Sequence, residues 1–256
     1  MDAPYQYDGL EASSYDWVDE LTDFNDFPFY RLLIESCPGP VLDLGCGTGR
    51  ILVPLAEDGV EVVGLDSSEA MLALCREKLG RAGANAQVAT GDMRRFQADR
   101  KFATILIPGF SFQMLVDRDD QLACLETCRG HLIPGGQLVV PMYFPWEMLE
   151  CAEDAQSMER RKEAARDNGE RYVAWQGWAI DRDAQVLTLE NRFQRLGKTG
   201  AVLEENNRSM SLRWAMPYDM QRLLQEAGFL DVESYGDFEM APPEPRSESI
   251  VYVARA

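Results

Sequence analysis

Between residues 40 and 142, short apolar runs take turns with amphipathic stretches. This alternation limits the fold of the 256-residue chain more than any other feature. Val41–Leu44, Glu61–Leu65, Ala86–Ala89, Phe102–Ile107 and Gln137–Met142 read as strands. Arg50–Glu57, Ser68–Arg81 and Arg118–Leu132 read as helices, the second with Met71, Leu72, Leu74, Cys75 and Leu79 at helical spacing. Strands alternating with helices predict a parallel sheet covered by helices on both faces, with right-handed crossovers.

The first strand runs straight into glycines, as Val41-Leu-Asp-Leu-Gly-Cys-Gly-Thr-Gly-Arg50. Such a loop admits a ligand close to the backbone, and the spacing narrows which one. Dinucleotide sites use Gly-x-Gly-x-x-Gly, whereas Gly45, Gly47 and Gly49 are spaced Gly-x-Gly-x-Gly and Arg50 fills the sixth position. No lysine follows, so the phosphate-binding loop pattern also fails. Asp43 stands two residues before the first glycine. A carboxylate there repels a pyrophosphate and attracts an ammonium group, worth about 4 kcal/mol at ~4 Å before desolvation. S-adenosylmethionine carries an amino-acid tail and a sulfonium but no phosphate, so it fits better than NAD. Asp66 ends the second strand, where a carboxylate can accept from both ribose hydroxyls. Asp92 ends the third, placed for an adenine amine, with Met71 and Met93 as apolar faces for the ring. The three acids line the carboxyl edge of the sheet, where open α/β sheets bind ligands.

These residues belong to a consecutive set that resembles the class I S-adenosylmethionine-dependent methyltransferases. "VLDLGCGTGR", "VVGLDSS", "ATGDM", "FATILIPGFSFQML" and "HLIPGGQLVV" look like that family's five motifs in order, from about residue 40 to 143. The tail, "LRWAMPYDMQRLLQEAGF…YGDF", is similar to small-molecule members with a β insertion after the fifth strand, sugar-amine N-methyltransferases among them. The resemblance implies a Rossmann-like α/β fold: a doubly wound, seven-stranded, mostly parallel sheet of order 3-2-1-4-5-7-6, with an antiparallel seventh strand and an inserted antiparallel β subdomain. It carries Asp43, Gly45 and Gly47 to the methionine end of the cofactor, Asp66 to the ribose, and Asp92 with Met93 to the adenine. Within the same motifs, Cys46, Ser67, Met71 and Pro108 complete the expected cofactor site, whose product is S-adenosylhomocysteine. The implied activity is methyl transfer to O or N of a small-molecule acceptor by in-line displacement.

The remaining segments supply the expected domain plan. Residues 1–39 form an N-terminal helical lid, 40–145 the cofactor-binding core, 146–215 the insertion, and 216–256 complete the core sheet. In the lid, Tyr5, Tyr7, Tyr15, Trp17, Phe24, Phe27, Phe29 and Tyr30 supply ring faces for a sulfonium, or ordinary helix packing. Tyr7 and Tyr15 are the choices for the reacting centre. In the insertion, Trp146–Gly169 reads as a charged helix. Arg171–Ile180, Gln185–Leu196 and Ala201–Ala215 read as a three-stranded meander, with Gly197–Gly200 a hairpin turn. Trp175, Trp178, Phe193, Arg192, Arg213 and Trp214 are its candidate acceptor contacts, or else the inner face of the small sheet or a dimer seam. Arg160-Arg161-Lys162 with Arg166 reads as a solvated helix face, being interleaved with acids. Tyr218–Ala227, Phe229–Tyr235 and Ser249–Ala254 read as a helix and two closing strands.

Methyl transfer chiefly needs alignment and exclusion of water, so the absence of a Ser-His-Asp arrangement fits the chemistry. His131, the single histidine, reads as a helix C-terminal residue favoured by the dipole and not as a base. No metal is expected, since none of the six cysteines forms a Cys-x-x-Cys pair. The net charge of −18 disfavours nucleic acid and anionic membranes as partners. No apolar run reaches the ~20 residues of a membrane helix, and the N-terminus lacks the regions of a secretory signal. The expectation is a cytoplasmic monomer or homodimer. Two rivals stand: a NAD(P)-dependent oxidoreductase, and a protein using this fold without methyl transfer or without catalysis.

Overall fold

A computed structural model describes residues 5–18 and 25–256. Two helices, α1 (Gly9–Val18) and α2 (Phe27–Ser36), precede the core. The core then runs β1 (Val41–Leu44), α3 (Leu52–Glu57), β2 (Val62–Asp66), α4 (Glu69–Ala82), β3 (Gln87–Thr90), β4 (Phe102–Leu106), a one-turn 3-10 helix (Ser111–Met114), α5 (Arg118–His131) and β5 (Leu132–Tyr143). The insertion holds α6 (Trp146–Glu150), β6 (Ala155–Ala165), β7 (Arg171–Asp181), β8 (Val186–Leu196) and β9 (Val202–Arg213). The chain returns to the core through α7 (Pro217–Glu226), β10 (Asp231–Gly236) and β11 (Ser249–Arg255).

The seven-stranded sheet has the order β10-β11-β5-β4-β1-β2-β3. Its strands are parallel from β3 to β5, and β11 runs antiparallel to both β5 and β10. This is the order and the odd direction that the resemblance implies. Local chemistry fixes the connections. Ser68 caps α4 by accepting from the Met71 N–H, and Gly83 ends that helix at φ 65°. Asp117 caps α5 through the N–H groups of Asp119 and Asp120. β1 and β4 are buried along their whole length. Helices α5 and α7 pack on one face of the sheet through Cys124, Leu125, Cys128, Leu223 and Leu224. Helices α2, α3 and α4 pack on the other through Phe29, Leu33, Leu52, Leu55, Leu72 and Leu79. All six cysteines are free thiols. Among the described residues, no helix is long and apolar enough to cross a membrane.

The insertion corrects the sequence reading. Only Trp146–Glu150 of the expected 146–169 helix is helical, and β6 replaces the rest, so the small sheet has four strands, β6-β7-β8-β9. The residues of β6 favour a helix, but β6 pairs with β7 along its length, and that pairing overrides propensity. Its near-continuous exposure and charge are those of a protected edge strand. The basic run therefore lies on a strand, with Arg160 paired to Glu163 at 2.9 Å and Arg166 stacked over the Trp17 ring at 3.8 Å.

Helix α1 sits between the two sheets, touching α4 on the core side and the strands of the insertion on the other. Leu10 and Val18 pack with Ala174 and Phe193 of the small sheet. On the core side, Asp16 accepts from Lys78 at 2.6 Å and from Thr48 at 2.7 Å. The N-terminal element thus forms a roof resting on both halves.

Candidate active site

The glycine loop is bent back onto β2. Gly45 and Cys46 donate their N–H groups to the Leu65 carbonyl at 2.7 and 3.0 Å. Gly45 has φ +82°, and a Cβ there would meet the Ser111 Oγ at 3.1 Å. Gly49 serves packing: at φ +84°, a Cβ would stand 2.7 Å from the Cys75 Sγ and 2.8 Å from Val53. The loop therefore brings backbone, α3 and α4 together at the carboxyl end of β1.

Two acids face this loop. Asp43 is 1% exposed, and neither carboxylate oxygen has a hydrogen-bond partner. Burial raises its pKa to about 7; Arg50 pulls it down and Asp66 pushes it up. Asp66 is better served, accepting from the Gly47 N–H and the Ser68 N–H at 2.8 Å each. Burial still raises its pKa, against those bonds. An orphaned, buried carboxylate costs stability unless a cation completes it.

Two adjoining cavities open here. One is lined by Asp43, Gly45, Cys46, Gly47, Asp66, Met71 and Pro108, roofed by Tyr7 and Tyr15 and flanked by Arg50. The next is lined by Gly45, Asp66, Ser67, Gly91 and Met93, with Tyr5 and Tyr7 above. Nine of the ten expected cofactor residues thus converge. Asp92 is not among the residues that line either cavity. Its Oδ1 accepts from the Arg94 Nε at 2.9 Å and its Oδ2 from Nη2 at 2.8 Å, and Arg94 holds its carboxyl below the usual range. Arg94 in turn reaches Asp120 at 2.6 Å. The carboxylate thus joins an ion-pair network with Arg94 and Asp120 beside the cavity wall formed by Gly91 and Met93.

A third cavity, of about 310 Å³, lies between α1, the carboxyl end of β5 and the inner face of the small sheet. Tyr7 lines it as well as the first two, so this ring is the wall they share. Tyr7 packs edge-on against Tyr5 and Tyr15, with centroids 5.2 and 5.5 Å away. Ser67 and Ser68 hold the segment down by donating to the Tyr5 carbonyl at 3.1 Å and the Tyr7 carbonyl at 2.5 Å. Phe29 and Tyr30 are core residues, and Phe24 lies outside the described residues.

The expected acceptor residues scatter. Register pairs Trp175 with Arg192, so these side chains share the sheet's outer face, where the guanidinium stacks on the indole at 4.8 Å. Trp175 borders the third cavity, yet its Nε1–H donates to Gln194. Trp178 and Trp214 are buried with Phe144 in the joint between sheets. Arg213 donates to the Val116 carbonyl at 3.1 Å. Of the six, Trp178, Trp214 and Arg213 are structural and Arg192 stays on the outer face, while Trp175 borders the cavity and Phe193 lines it, because β alternation puts neighbours on opposite sides. Beside the expected Phe193, the inner face presents Gln176, Leu189, Asn191 and Met210. His131 is also spoken for: its Nε2 accepts from the Ala98 N–H at 3.3 Å, its Nδ1 faces the Thr127 carbonyl at 2.8 Å, and its ring packs on Phe96.

Several site residues escaped sequence reading. Glu11 in α1 is 2% exposed, lines the third cavity, receives the Tyr5 hydroxyl at 2.6 Å, and pairs with Arg208 of β9 at 3.2 Å. Glu147 and Glu248 line the same cavity from α6 and from the residue before β11. Nothing local in the sequence announces that these three converge. Arg50 was visible at the sixth loop position, but only as a departure from the dinucleotide pattern.

Residues 41–136 match the family described as "Methyltransferase domain". The chain is 26% identical over 253 residues to "Putative methyltransferase YqeM" of Bacillus subtilis (strain 168), covering 97% of this chain and 96% of that one. It is 35% identical over 131 residues to the "dTDP-3-amino-3,4,6-trideoxy-alpha-D-glucopyranose N,N-dimethyltransferase" of Streptomyces venezuelae, covering 51% and 52%. Among solved structures it is similar to the CcbJ methyltransferase from Streptomyces caelestis, with TM-score 0.79 and 27% identity over 96% of this chain and 95% of that one.

Proposed function

We propose that this chain is a class I S-adenosylmethionine-dependent methyltransferase that methylates the nitrogen of a small polar amine held between α1 and the inserted sheet. The observation that carries the acceptor class is the lining of the third cavity. Glu147 and Glu248 bring two carboxylates to a lining whose one guanidinium is Arg161, Glu11 adds a third that is already paired with Arg208, and the amides of Gln176 and Asn191 stand beside them. Such a lining favours a neutral or cationic guest with hydroxyl groups over an anionic one. The Streptomyces venezuelae relative is named for an amino-sugar N,N-dimethylation, and the amine reading agrees with it.

The residues present fit the cofactor. The orphaned Asp43 carboxylate suits its ammonium group, and Asp66 retains lone pairs for ribose hydroxyls. Met93 and Leu115 offer apolar surface to the base. When bound, S-adenosylmethionine supplies a methyl group already activated by positive sulfur. The chain's task is then alignment and dryness: positioning of this kind supplies ~7–11 kcal/mol. Tyr7 and Tyr15 roof the junction and exclude water, and Tyr7 bounds the path between donor and acceptor cavities. The acidic lining receives the proton an ammonium acceptor must shed before its nitrogen attacks.

Thermal-shift titration and labelled methyl transfer test this reading. S-adenosylmethionine and S-adenosylhomocysteine should stabilise the protein, and an amino sugar should take up label where its hydroxyl counterpart does not. Stabilisation by NAD alone would refute the cofactor. Preferential labelling of the hydroxyl compound would refute the amine.

A further inference from the structure

Beside the orphaned Asp43 carboxylate lies an equally unfinished cation. Arg50 lines the same cavity, with its side chain 21% exposed. Asp26, 1% exposed at the start of α2, takes one hydrogen from each terminal nitrogen, Nη2 donating to Oδ2 at 2.9 Å. A guanidinium has five N–H donors, and among the described residues the other three of Arg50 have no hydrogen-bond partner. Arg50 and Asp43 are close enough for the cation to pull the acid's pKa down, yet they form no ion pair. Two opposite charges thus border one small space without touching. A guest carrying both signs on adjacent groups would satisfy both at once. An α-amino acid end has that form, with its ammonium toward Asp43 and its carboxylate toward Arg50.

We infer that Arg50 receives the carboxylate of the cofactor's amino-acid tail and that Asp26 is the positioning residue that presents its free N–H groups. This rests on the S-adenosylmethionine reading and extends it to how the tail is selected. The fork matters: with Asp26 gripping both terminal nitrogens, the guanidinium plane is fixed and its remaining edge is offered to the cavity. Asp26 has no access to solvent or guest, so its effect passes through Arg50.

The probe is a pair of ligands that differ only in this carboxylate, S-adenosylmethionine and its decarboxylated form. Calorimetry gives the ratio of their affinities without any acceptor. The wild-type protein should prefer the intact cofactor roughly 10- to 100-fold, the range of one charge-assisted contact. Arg50→Gln should bring the two within about two-fold by weakening only the intact form. Removing Arg50 alone leaves Asp26 buried and unpaired, so the neutral double variant Asp26→Asn/Arg50→Gln is measured alongside and should give the same ratio. Asp26→Asn alone should reduce the preference in part, and Arg50→Lys should restore less than half of it in logarithmic terms. No preference in the wild type would overturn the assignment. So would a preference that survives in the variants, or an equal loss of both ligands in the double variant. A wild-type protein that binds neither ligand would instead sink the cofactor reading beneath it.

Discussion

In the proposed cofactor site, Asp43 sets the pH behaviour. Its carboxyl titrates near 4 in an unfolded chain and at about 7 in the folded, ligand-free one, because burial penalises the charge. The folded state therefore holds this proton more tightly. Its stabilising contribution is complete below pH 4 and is lost as pH rises through 7, about 4 kcal/mol as an order of magnitude. An ammonium guest needs the ionised form. Affinity for S-adenosylhomocysteine should therefore fall about ten-fold per pH unit below 7 and level off above it. Asp66, also raised, faces the same space and steepens the fall at the acid end. Titration calorimetry between pH 5.5 and 8 checks this. Asp43→Asn should bind weakly and lose most of the pH dependence, and an unchanged slope in that variant would contradict the assignment. Tyr7 is the other residue with a sharp expectation. It lines both cavities, and its hydroxyl reaches the Met210 sulfur, a weak acceptor, at 3.8 Å. Tyr7→Phe should keep turnover within about three-fold, whereas Tyr7→Ala should lower it on the order of 100-fold through misplacement of the acceptor.

Elements differ in how readily the sequence disclosed them. The central strands β1 and β4 were legible because both faces are covered, so hydrophobicity, turn glycines and end-of-strand acids all point the same way. Asp43, Gly45, Gly47 and Asp66 could be placed for that reason. β6 was not legible, since an edge strand on a small sheet has little apolar surface to bury and its Glu, Arg and Ala content imitates a helix. The roof formed by α1 was legible in composition but not in contacts. Its fastening to the core depends on Ser68, which caps α4 and also donates to the Tyr7 carbonyl at 2.5 Å. One hydroxyl therefore serves a helix end and the N-terminal strap together. Ser68→Ala should lower the unfolding free energy by about 1–2 kcal/mol. In addition, limited proteolysis should cut ahead of α1 sooner in the variant, and added S-adenosylhomocysteine should restore part of the protection. A variant with lower stability but unchanged cleavage would show that the cap alone matters.

At the scale of the whole molecule, the proposed acceptor cavity belongs to no single segment. Glu11, Glu147 and Glu248 are brought together only when the roof, the end of β5 and the insertion close on one another. Tertiary assembly, with no local pattern, makes this site, which is why Trp178, Arg213 and Trp214, conspicuous in the sequence, serve packing while only Trp175 and Phe193 of the insertion's candidates reach the cavity. The charge that was legible, −18 over 256 residues, still bears on it. A negative molecule with a carboxylate-lined cavity draws a cationic amine toward its entrance and slows an anionic one. The Debye length falls from about 30 Å at 0.01 M salt to about 8 Å at 0.15 M, so most of that long-range pull disappears across this range. For an ammonium acceptor, kcat/KM should then drop several-fold between those salt concentrations while kcat hardly changes, because screening acts on encounter and not on the closed site. Cofactor affinity supplies the internal control. Asp43 is buried and screened less, so the S-adenosylhomocysteine Kd should move by less than kcat/KM. A kcat/KM that rises with salt would mean that the acceptor arrives carrying net negative charge. The three carboxylates would then have to be read as framework, with Arg161 as the group that meets it.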